Sequence, residues 1–414
     1  MNTTPRSPIV SNTRGHPSEF WQVIIEKSKN FVGREFVFAA INEFLHKYAH
    51  GYFTLIGAPG SGKTAILAKY VTSNLHVIYY SAQVEGKNRA DQFLFDVCAQ
   101  LINSYPDVGA EYSVPLPDNA TEGSWFLSLL LQKISDSLEP NQRLLIAIDA
   151  LDAIARNSQA ASSNLFYLPR YLPHKVYFLL TRRPFVRERS RLLIEAPSQI
   201  LDLGDYPEQN RDDVQGYIRQ CLTPLTKGGT RIEEFLAQEV TTEESDASNS
   251  PPLKRGGHGG LRSWLATHTI NEPEFCDRLT AQTENNFMYL SQTLAAITEG
   301  FYSQPFKLDQ LPPKLEAYYQ SHWQRMASKE LSSVELGVLR CLVTLQPSLD
   351  PLLKNEGISA QLIAQMIDED EYDVEEVLEN WIEFLQQEQI DGETRYSLYH
   401  SSFRDWLGQQ LSHP

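Results

Sequence analysis

Length, composition and charge narrow the class of protein. The 414 residues, 42% of them hydrophobic, suffice for two to four domains with cores of their own. The net charge of −16 and the isoelectric point near 5.1 argue against a protein that coats nucleic acid or an anionic membrane. The four cysteines show no C-x-x-C spacing, which favours free thiols in a reducing cytoplasm over a metal knuckle or disulfides. No run of about eighteen apolar residues occurs, so we expect neither a membrane span nor a signal peptide.

Ordered structure is predicted to follow a polar lead. Residues 1–18 are polar and contain three prolines, and we expect them to be disordered. The apolar run Phe20–Ile25 then begins the first domain. Phe31–Glu35 precedes an apolar pattern that continues to Leu45 and predicts a helix.

The most informative stretch is Gly57–Thr64, with the sequence GAPGSGKT. It lies between the apolar run Tyr52–Ile56 and the helical pattern Ala65–Val71, which is the context of a phosphate-binding loop. Glycines let the backbone turn its N–H groups toward phosphate oxygens, and the helix N-terminus adds its dipole. We expect Lys63 to reach the β- and γ-phosphates of a nucleotide and Thr64 to hold Mg²⁺. The predicted binding residues of the loop are Gly57, Pro59, Gly60, Ser61, Gly62, Lys63 and Thr64. The alternative is a glycine-rich turn without a ligand.

Further apolar runs predict a parallel sheet around this loop. Near-continuous apolar strands are typical of a sheet that is buried on both faces. Helical patterns alternate with them, as in doubly wound α/β domains. We therefore predict an α/β P-loop NTPase domain over residues 19–204, a parallel sheet with helices on both faces. The additional strands are expected at 76–80, 144–148, 176–180 and 200–203, and the helices at about 89–103 and 121–138.

Two carboxylates follow the predicted strand at 144–148. Asp149 ends this strand beside the phosphate loop, where a carboxylate can orient the Mg²⁺ shell. Asp152 lies three residues further on and could polarise an attacking water. A strand-end turn or a helix cap is the alternative for both residues.

The strand at 176–180 is followed by Thr181, Arg182 and Arg183. Open α/β sheets bind ligands at the carboxyl ends of their strands, so one of these arginines could contact the γ-phosphate. We favour Arg183 for this role. A surface salt bridge is the alternative.

The hydrophobic pattern of the rest of the chain differs from that of the α/β domain. Apolar residues recur at helical spacing from Asp212, which predicts a helical domain over 205–328 with a disordered insertion at about 240–260. Residues 329–414 read as three helices, near 331–345, 359–367 and 372–387, followed by a hairpin with Asp391-Gly392 at its turn. This order is typical of a winged helix. The segment carries 5 Lys and Arg against 17 Asp and Glu, so we expect it to contact protein or nucleotide and not DNA.

Taken in order, these motifs resemble the STAND class of signalling ATPases in the AAA+ superfamily, with NACHT-like and NB-ARC-like nucleotide switches. The resemblance covers residues 31–410 and is carried by the opening motif Phe31–Glu35, Asp149–Asp152, Leu180–Pro184 and Tyr399–Leu407. It implies that Val32 and Arg34 pack against adenine. It also implies that His400 contacts the β-phosphate of bound ADP, although a buried core histidine is the alternative.

One departure from the family pattern bears on activity. The family commonly has Glu directly after the second Asp, whereas this chain has Ala153. We therefore expect weak ATP hydrolysis, with any role as a base left to Asp152. No effector domain or repeat array is evident, so we expect sensing and output to depend on protein partners or on further domains of a longer chain.

The function that this resemblance implies is an ATP/ADP-operated switch with Mg²⁺ as cofactor. ADP would keep the domains closed, and exchange for ATP would open them so that copies self-assemble. Bacterial defence and regulated death are the processes that the resemblance suggests. Two alternatives stay open, a DNA-loading AAA+ ATPase of the origin-recognition type and a scaffold that binds nucleotide without hydrolysing it. We regard nucleic acid as an unlikely partner and expect no membrane partner.

Overall fold

The computed structural model describes residues 16–74, 76–110, 112, 116–155, 159, 163–184, 192–223, 259–300, 312–327, 330–344, 357–390 and 392–412. Among these residues, no helix combines the length and the apolar character that crossing a membrane requires. The chain divides into two compact units. The first takes in the described residues of Met1–Lys29, Arg34–Tyr206 and Tyr319–Pro414, and the second those of Asn30–Gly33 and Pro207–Tyr318. Most of the predicted disordered lead lies outside the described residues.

Five parallel strands form the central sheet of the first unit. They are β1 (Gly51–Ile56), β2 (Val77–Ser81), β3 (Leu144–Asp149), β4 (Val176–Arg182) and β5 (Ser198–Asp202). Their order is β2-β3-β4-β1-β5, and every pair is parallel. Side chains along β1, β2 and β4 are buried at every position, as expected of parallel strands that are covered on both faces. The predicted strands and the α/β fold class are confirmed.

Helices that alternate with these strands cover the sheet. They are α1 (Ser18–Ser28), α2 (Glu35–Lys47), α3 (Lys63–Ser73), α4 (Ala90–Ser104), α5 (Pro106–Gly109) and α6 (Trp125–Ser137). The helix predicted at 89–103 is α4, and the one predicted at 121–138 is the shorter α6. A stack of Phe93 on Phe166, with ring centroids 4.5 Å apart, belongs to the apolar core, and Tyr80 of β2 contacts both rings.

The position of β4 determines which side chains meet at the carboxyl edge of the sheet. In the register, Ile56 of β1 pairs with Arg182, and Ile148 of β3 pairs with Leu180. Strand β4 therefore separates the strand before the phosphate loop from the strand that ends in Asp149. The residues that follow β4 emerge between the loop and this carboxylate.

The regular secondary structure in the described part of the second unit is helical. The helices are α7 (Pro207–Leu222), α8 (Gly259–Thr267), α9 (Glu272–Thr283), α10 (Phe287–Thr298) and the start of α11 (Pro313–Met326). Val214, Ile218 and Leu290 are fully buried in a core that α7, α8, α9 and α10 share. The predicted insertion at about 240–260 lies outside the described residues except for its last two.

The C-terminal part of the first unit contains a second, smaller sheet. Its elements are α12 (Ser333–Thr344), β6 (Ile358–Ser359), α13 (Ala360–Ile367), α14 (Glu371–Asn380), β7 (Leu385–Ile390), β8 (Glu393–Leu398) and α15 (Ser401–Ser412). The antiparallel sheet has the order β6-β8-β7. The three predicted helices and the hairpin are present, but the third helix ends at Asn380 and not at 387. Residues 385–387 pair with β8 instead, because Leu385 and Leu398 are both buried in this pairing. The winged-helix assignment and the boundaries at 204 and 328 stay predictions.

Gly33 offers a test of close packing within the second unit. Its φ of 72° lies in the left-handed region, and a Cβ there would come within 1.9 Å of Asp213 Oδ1. Gly86 has a similar φ of 76° but no atom within 4 Å of such a Cβ. We expect Gly86→Ala to cost about 1 kcal/mol for backbone strain alone. Gly33→Ala should lower the midpoint of thermal unfolding further, because the buried Asp213 must also move. Equal shifts for the two variants would contradict this close approach.

Candidate nucleotide-binding site

The loop Gly57–Thr64 has a backbone that only glycine adopts readily at two positions. Gly60 and Gly62 have φ of 80° and 92°, where a side chain would be strained. A Cβ on Gly57 would lie 2.8 Å from Ser61 Oγ, so a larger residue at this position would force the Ser61 side chain to shift. Pro59 lies in the turn between them, and α3 begins directly after the loop, at Lys63. The loop therefore has the conformation and the helix N-terminus that a phosphate site needs.

Arg34 supports this loop from outside. The residue is buried, has a left-handed φ of 68° at the start of α2, and its Nη2 donates to Ser61 O at 2.9 Å. Val32 belongs to the second unit, where its Cγ1 lies 3.1 Å from the position that a Cβ on Gly216 would take. The adenine contacts expected of Val32 and Arg34 stay predictions.

Lys63 is directed into the loop. Its Nζ donates to Gly57 O at 2.7 Å and to Ala58 O at 2.9 Å. Burial lowers the pKa of this ammonium to about 8, while nearby carboxylates, foremost Asp152, oppose the shift and the Arg183 guanidinium adds to it. Lys63 is thus a cation among the carbonyl groups of the loop, and phosphate oxygens would compete with those carbonyls for its protons.

Asp149, at the end of β3, lies among three hydroxyl groups. Its carboxylate accepts hydrogen bonds from Thr64 Oγ1 at 3.0 Å, Thr181 Oγ1 at 2.6 Å and Ser81 Oγ at 3.2 Å. Burial raises the pKa of Asp149, while the hydroxyl bonds and Lys63 favour the ionised form. The carboxylate and hydroxyl oxygens fit the ligand preference of Mg²⁺, so Thr64 and Asp149 are the residues that would hold this ion.

Asp152 and Arg183 form a pair at the same edge of the sheet. Asp152 Oδ1 accepts from the backbone N–H of Arg183 at 2.9 Å, and Oδ2 lies 3.2 Å from its Nε. Both oxygens of the expected base are thus engaged by one arginine. Because Arg183 occupies this carboxylate, an attacking water could bond to Asp152 only if Arg183 withdrew. Both roles stay predictions.

His400 is buried in the C-terminal part of the same unit. The backbone N–H of Ser402 donates to its Nδ1 at 3.1 Å, so the neutral ring carries its proton on Nε2. The preceding residue, Tyr399, donates its N–H to Phe384 O at 3.0 Å, and the Phe384 ring lies 5.7 Å from the guanidinium carbon of Arg183. A continuous set of contacts therefore joins the His400 segment to the end of β4.

The comparison with known families places these residues in context. Residues 30–179 match the family described as the AAA ATPase domain. The chain contains an AAA ATPase domain. This domain holds the phosphate loop and Asp149, whereas Thr181, Arg183 and His400 follow the matched range.

Solved structures resemble the chain over most of its length. It is similar to a Walker-type ATPase of Pyrococcus abyssi, with 12% identity, a TM-score of 0.48, and coverage of 91% of this chain and 96% of that one. It is also similar to Drosophila ORC bound to DNA, with 14% identity, a TM-score of 0.33, and coverage of 95% and 99%. A third similar structure is the Holliday junction branch migration motor RuvB of Thermotoga maritima, with 12% identity, a TM-score of 0.30, and coverage of 95% of this chain and 99% of that one. Comparison with the curated proteins finds no significant match. The prediction that nucleic acid is an unlikely partner finds no support in these comparisons.

The sequence did not indicate two residues that lie at this candidate nucleotide-binding site. Ser81 ends β2 and pairs with Asp149 in the register, so a hydroxyl at the end of an apolar strand was the available signal. Glu383 lies 3.3 Å from Arg183 Nη1, and 200 positions separate the two residues along the chain. No local pattern indicates such a distant pair.

Proposed function

We propose that this chain is an ATP/ADP-operated switch of the STAND type. ADP holds the ATPase domain and the C-terminal segment together, and exchange for ATP releases them so that copies of the chain self-assemble. The observation that carries this proposal is the contact of Arg183, at the phosphate edge of the sheet, with Glu383 in the C-terminal segment. A change at the nucleotide can reach the C-terminal segment through this pair.

The residues of the loop supply the binding chemistry in this proposal. Backbone N–H groups from Gly60 to Thr64 surround the phosphates, and Lys63 neutralises their charge. Arg34 stabilises the conformation of the loop through its bond to Ser61 O. Thr64 and Asp149 hold Mg²⁺, which shields the phosphate charge when bound. Hydrolysis is slow, because Ala153 replaces a second acid and Asp152 is paired with Arg183.

The energy available from nucleotide binding is large enough for such a switch. A ligand present at one hundred times its dissociation constant stabilises the form that binds it by about 2.7 kcal/mol. This free energy can decide between two arrangements that differ by a similar amount.

The direct test is the nucleotide content and size of the purified protein. We expect ADP to copurify, and we expect added ATP with Mg²⁺ to shift the protein to a larger species in light scattering. Protein that binds ATP without assembling would favour the non-hydrolysing scaffold. Salt-dependent binding of duplex DNA would favour the DNA-loading ATPase.

His400 provides a prediction that separates ADP from ATP. The Nε2–H donor suits an oxygen of the ADP β-phosphate, so His400→Ala should weaken ADP binding more than ATP binding. His400→Gln keeps a donor near the ε position and should lose less than about threefold, whereas His400→Asn can accept from Ser402 N–H through its Oδ1 but lacks a donor at the ε position and should lose about tenfold. Calorimetric titration with both nucleotides measures these losses. Equal losses of affinity for ADP and ATP would contradict the predicted contact between His400 and the β-phosphate of ADP.

A further inference from the structure

Glu383 lies between two arginines that come from different parts of the first unit. Its Oε2 is 3.3 Å from Arg183 Nη1 and 2.8 Å from Arg325 Nη2. Both guanidiniums also face the ring of the next residue, Phe384, at 5.7 and 5.8 Å from its centroid. Burial raises the pKa of the Glu383 carboxyl, and the two arginines oppose this shift. Through its pair with Arg183, Glu383 forms a contact between the C-terminal part of the first unit and the end of β4.

Arg183 lies close to where the terminal phosphate of a nucleotide is expected. Strand β4 runs between the strand of the phosphate loop and the strand of Asp149. The guanidinium of Arg183 contributes to the lowered pKa of Lys63, the residue of the loop that we expect to reach the β- and γ-phosphates. A γ-phosphate and the Glu383 carboxylate are both anions that the same guanidinium can bind.

The two carboxylates on Arg183 differ in how firmly they are held. Asp152 Oδ1 accepts a hydrogen bond from the backbone N–H of Arg183 at 2.9 Å, and its Oδ2 forms an ion pair with Nε of the same residue at 3.2 Å. Glu383 has a single contact with Arg183, at 3.3 Å, and a shorter one with Arg325. Because Arg325 would still neutralise Glu383 after separation, Glu383 is the partner that can be exchanged at lower cost.

On the basis of the proposed function, we propose that Glu383 sets the preference between ADP and ATP by competing with the γ-phosphate for Arg183. ATP must displace Glu383 to engage the guanidinium, whereas ADP has no γ-phosphate and leaves the pair intact. Glu383 therefore weakens ATP binding selectively. Its release by ATP frees the C-terminal segment from the end of β4.

The test compares Glu383→Gln with Glu388→Gln, a matched change at an exposed position of β7. Affinities for ADP and for a non-hydrolysable ATP analogue are measured by calorimetry with Mg²⁺ present. Glu383→Gln should raise the affinity for the analogue about tenfold, since it removes a charge-assisted competitor, and should change that for ADP less than about twofold. Glu388→Gln should change neither.

A second variant should act in the opposite direction. Arg325→Gln removes one of the two arginines that pair with Glu383 and leaves Arg183 as the other. The affinity for the analogue should therefore fall, while the affinity for ADP stays constant. Parallel changes for both nucleotides, or none for the analogue in either variant, would overturn the role of Glu383. If the unmodified chain binds neither nucleotide, the proposed function itself fails.

Discussion

We expect Lys63→Ala to lower the affinity for both ATP and ADP about a hundredfold or more. The ammonium is the cation of the phosphate loop, and loss of a buried charged partner typically costs about 2–5 kcal/mol. Lys63 also bonds Gly57 O and Ala58 O, so the variant should be checked for an unchanged thermal midpoint. Calorimetric titration with each nucleotide measures the loss.

Lys69→Ala is the matched control for this change, since Lys69 lies on the same helix, α3, and is partly exposed. It should leave both affinities unchanged. Nucleotide binding that survives Lys63→Ala in a folded protein would remove the assignment of Gly57–Thr64 as the phosphate site.

The second large effect is expected from Asp149→Asn, through Mg²⁺. The carboxylate accepts three hydroxyl bonds, and an amide of the same shape can accept at one of its two positions only. We expect the affinity for ATP in the presence of Mg²⁺ to fall about 10- to 100-fold, as is common when residues around a metal ion are changed. Binding of ADP in the presence of a chelator should change much less.

Asp136→Asn, on α6, controls for loss of an acidic residue and should have no effect on either measurement. If Asp149→Asn weakens binding equally with Mg²⁺ and with the chelator, Asp149 acts on the shape of the site and not through the metal ion. Loss of the folded state would instead show as a lower thermal midpoint.

Local patterns were sufficient to predict much of the ATPase domain. Short apolar runs such as Leu144–Ile148, which are separated by helical patterns, favour strands of a sheet that is covered on both faces, so their number and position could be predicted from the sequence. The positive φ values at Gly60 and Gly62 are equally local, because the residue type itself permits the turn. Asp149 was predictable from its place at the end of a strand.

Other features depend on contacts that no local pattern contains. The end of α14 was predicted too late, because the helical pattern continues past Asn380 while pairing with β8 draws Leu385 into a strand. Local sequence patterns also did not indicate that Glu383 is a partner of Arg183. A salt bridge was only an alternative for this residue, and the identity of Glu383 depends on how the C-terminal segment packs on the sheet.

The bonds within the phosphate loop have a thermodynamic consequence for its ligand. Gly60 and Gly62 are set in left-handed conformations, and Arg34 and Lys63 each bond backbone carbonyls of the loop. A loop that is preorganised by its own protein loses little conformational entropy when phosphate binds. Differences in affinity between one nucleotide and another therefore reflect the phosphate contacts and the groups that compete for them, without a large contribution from ordering the loop.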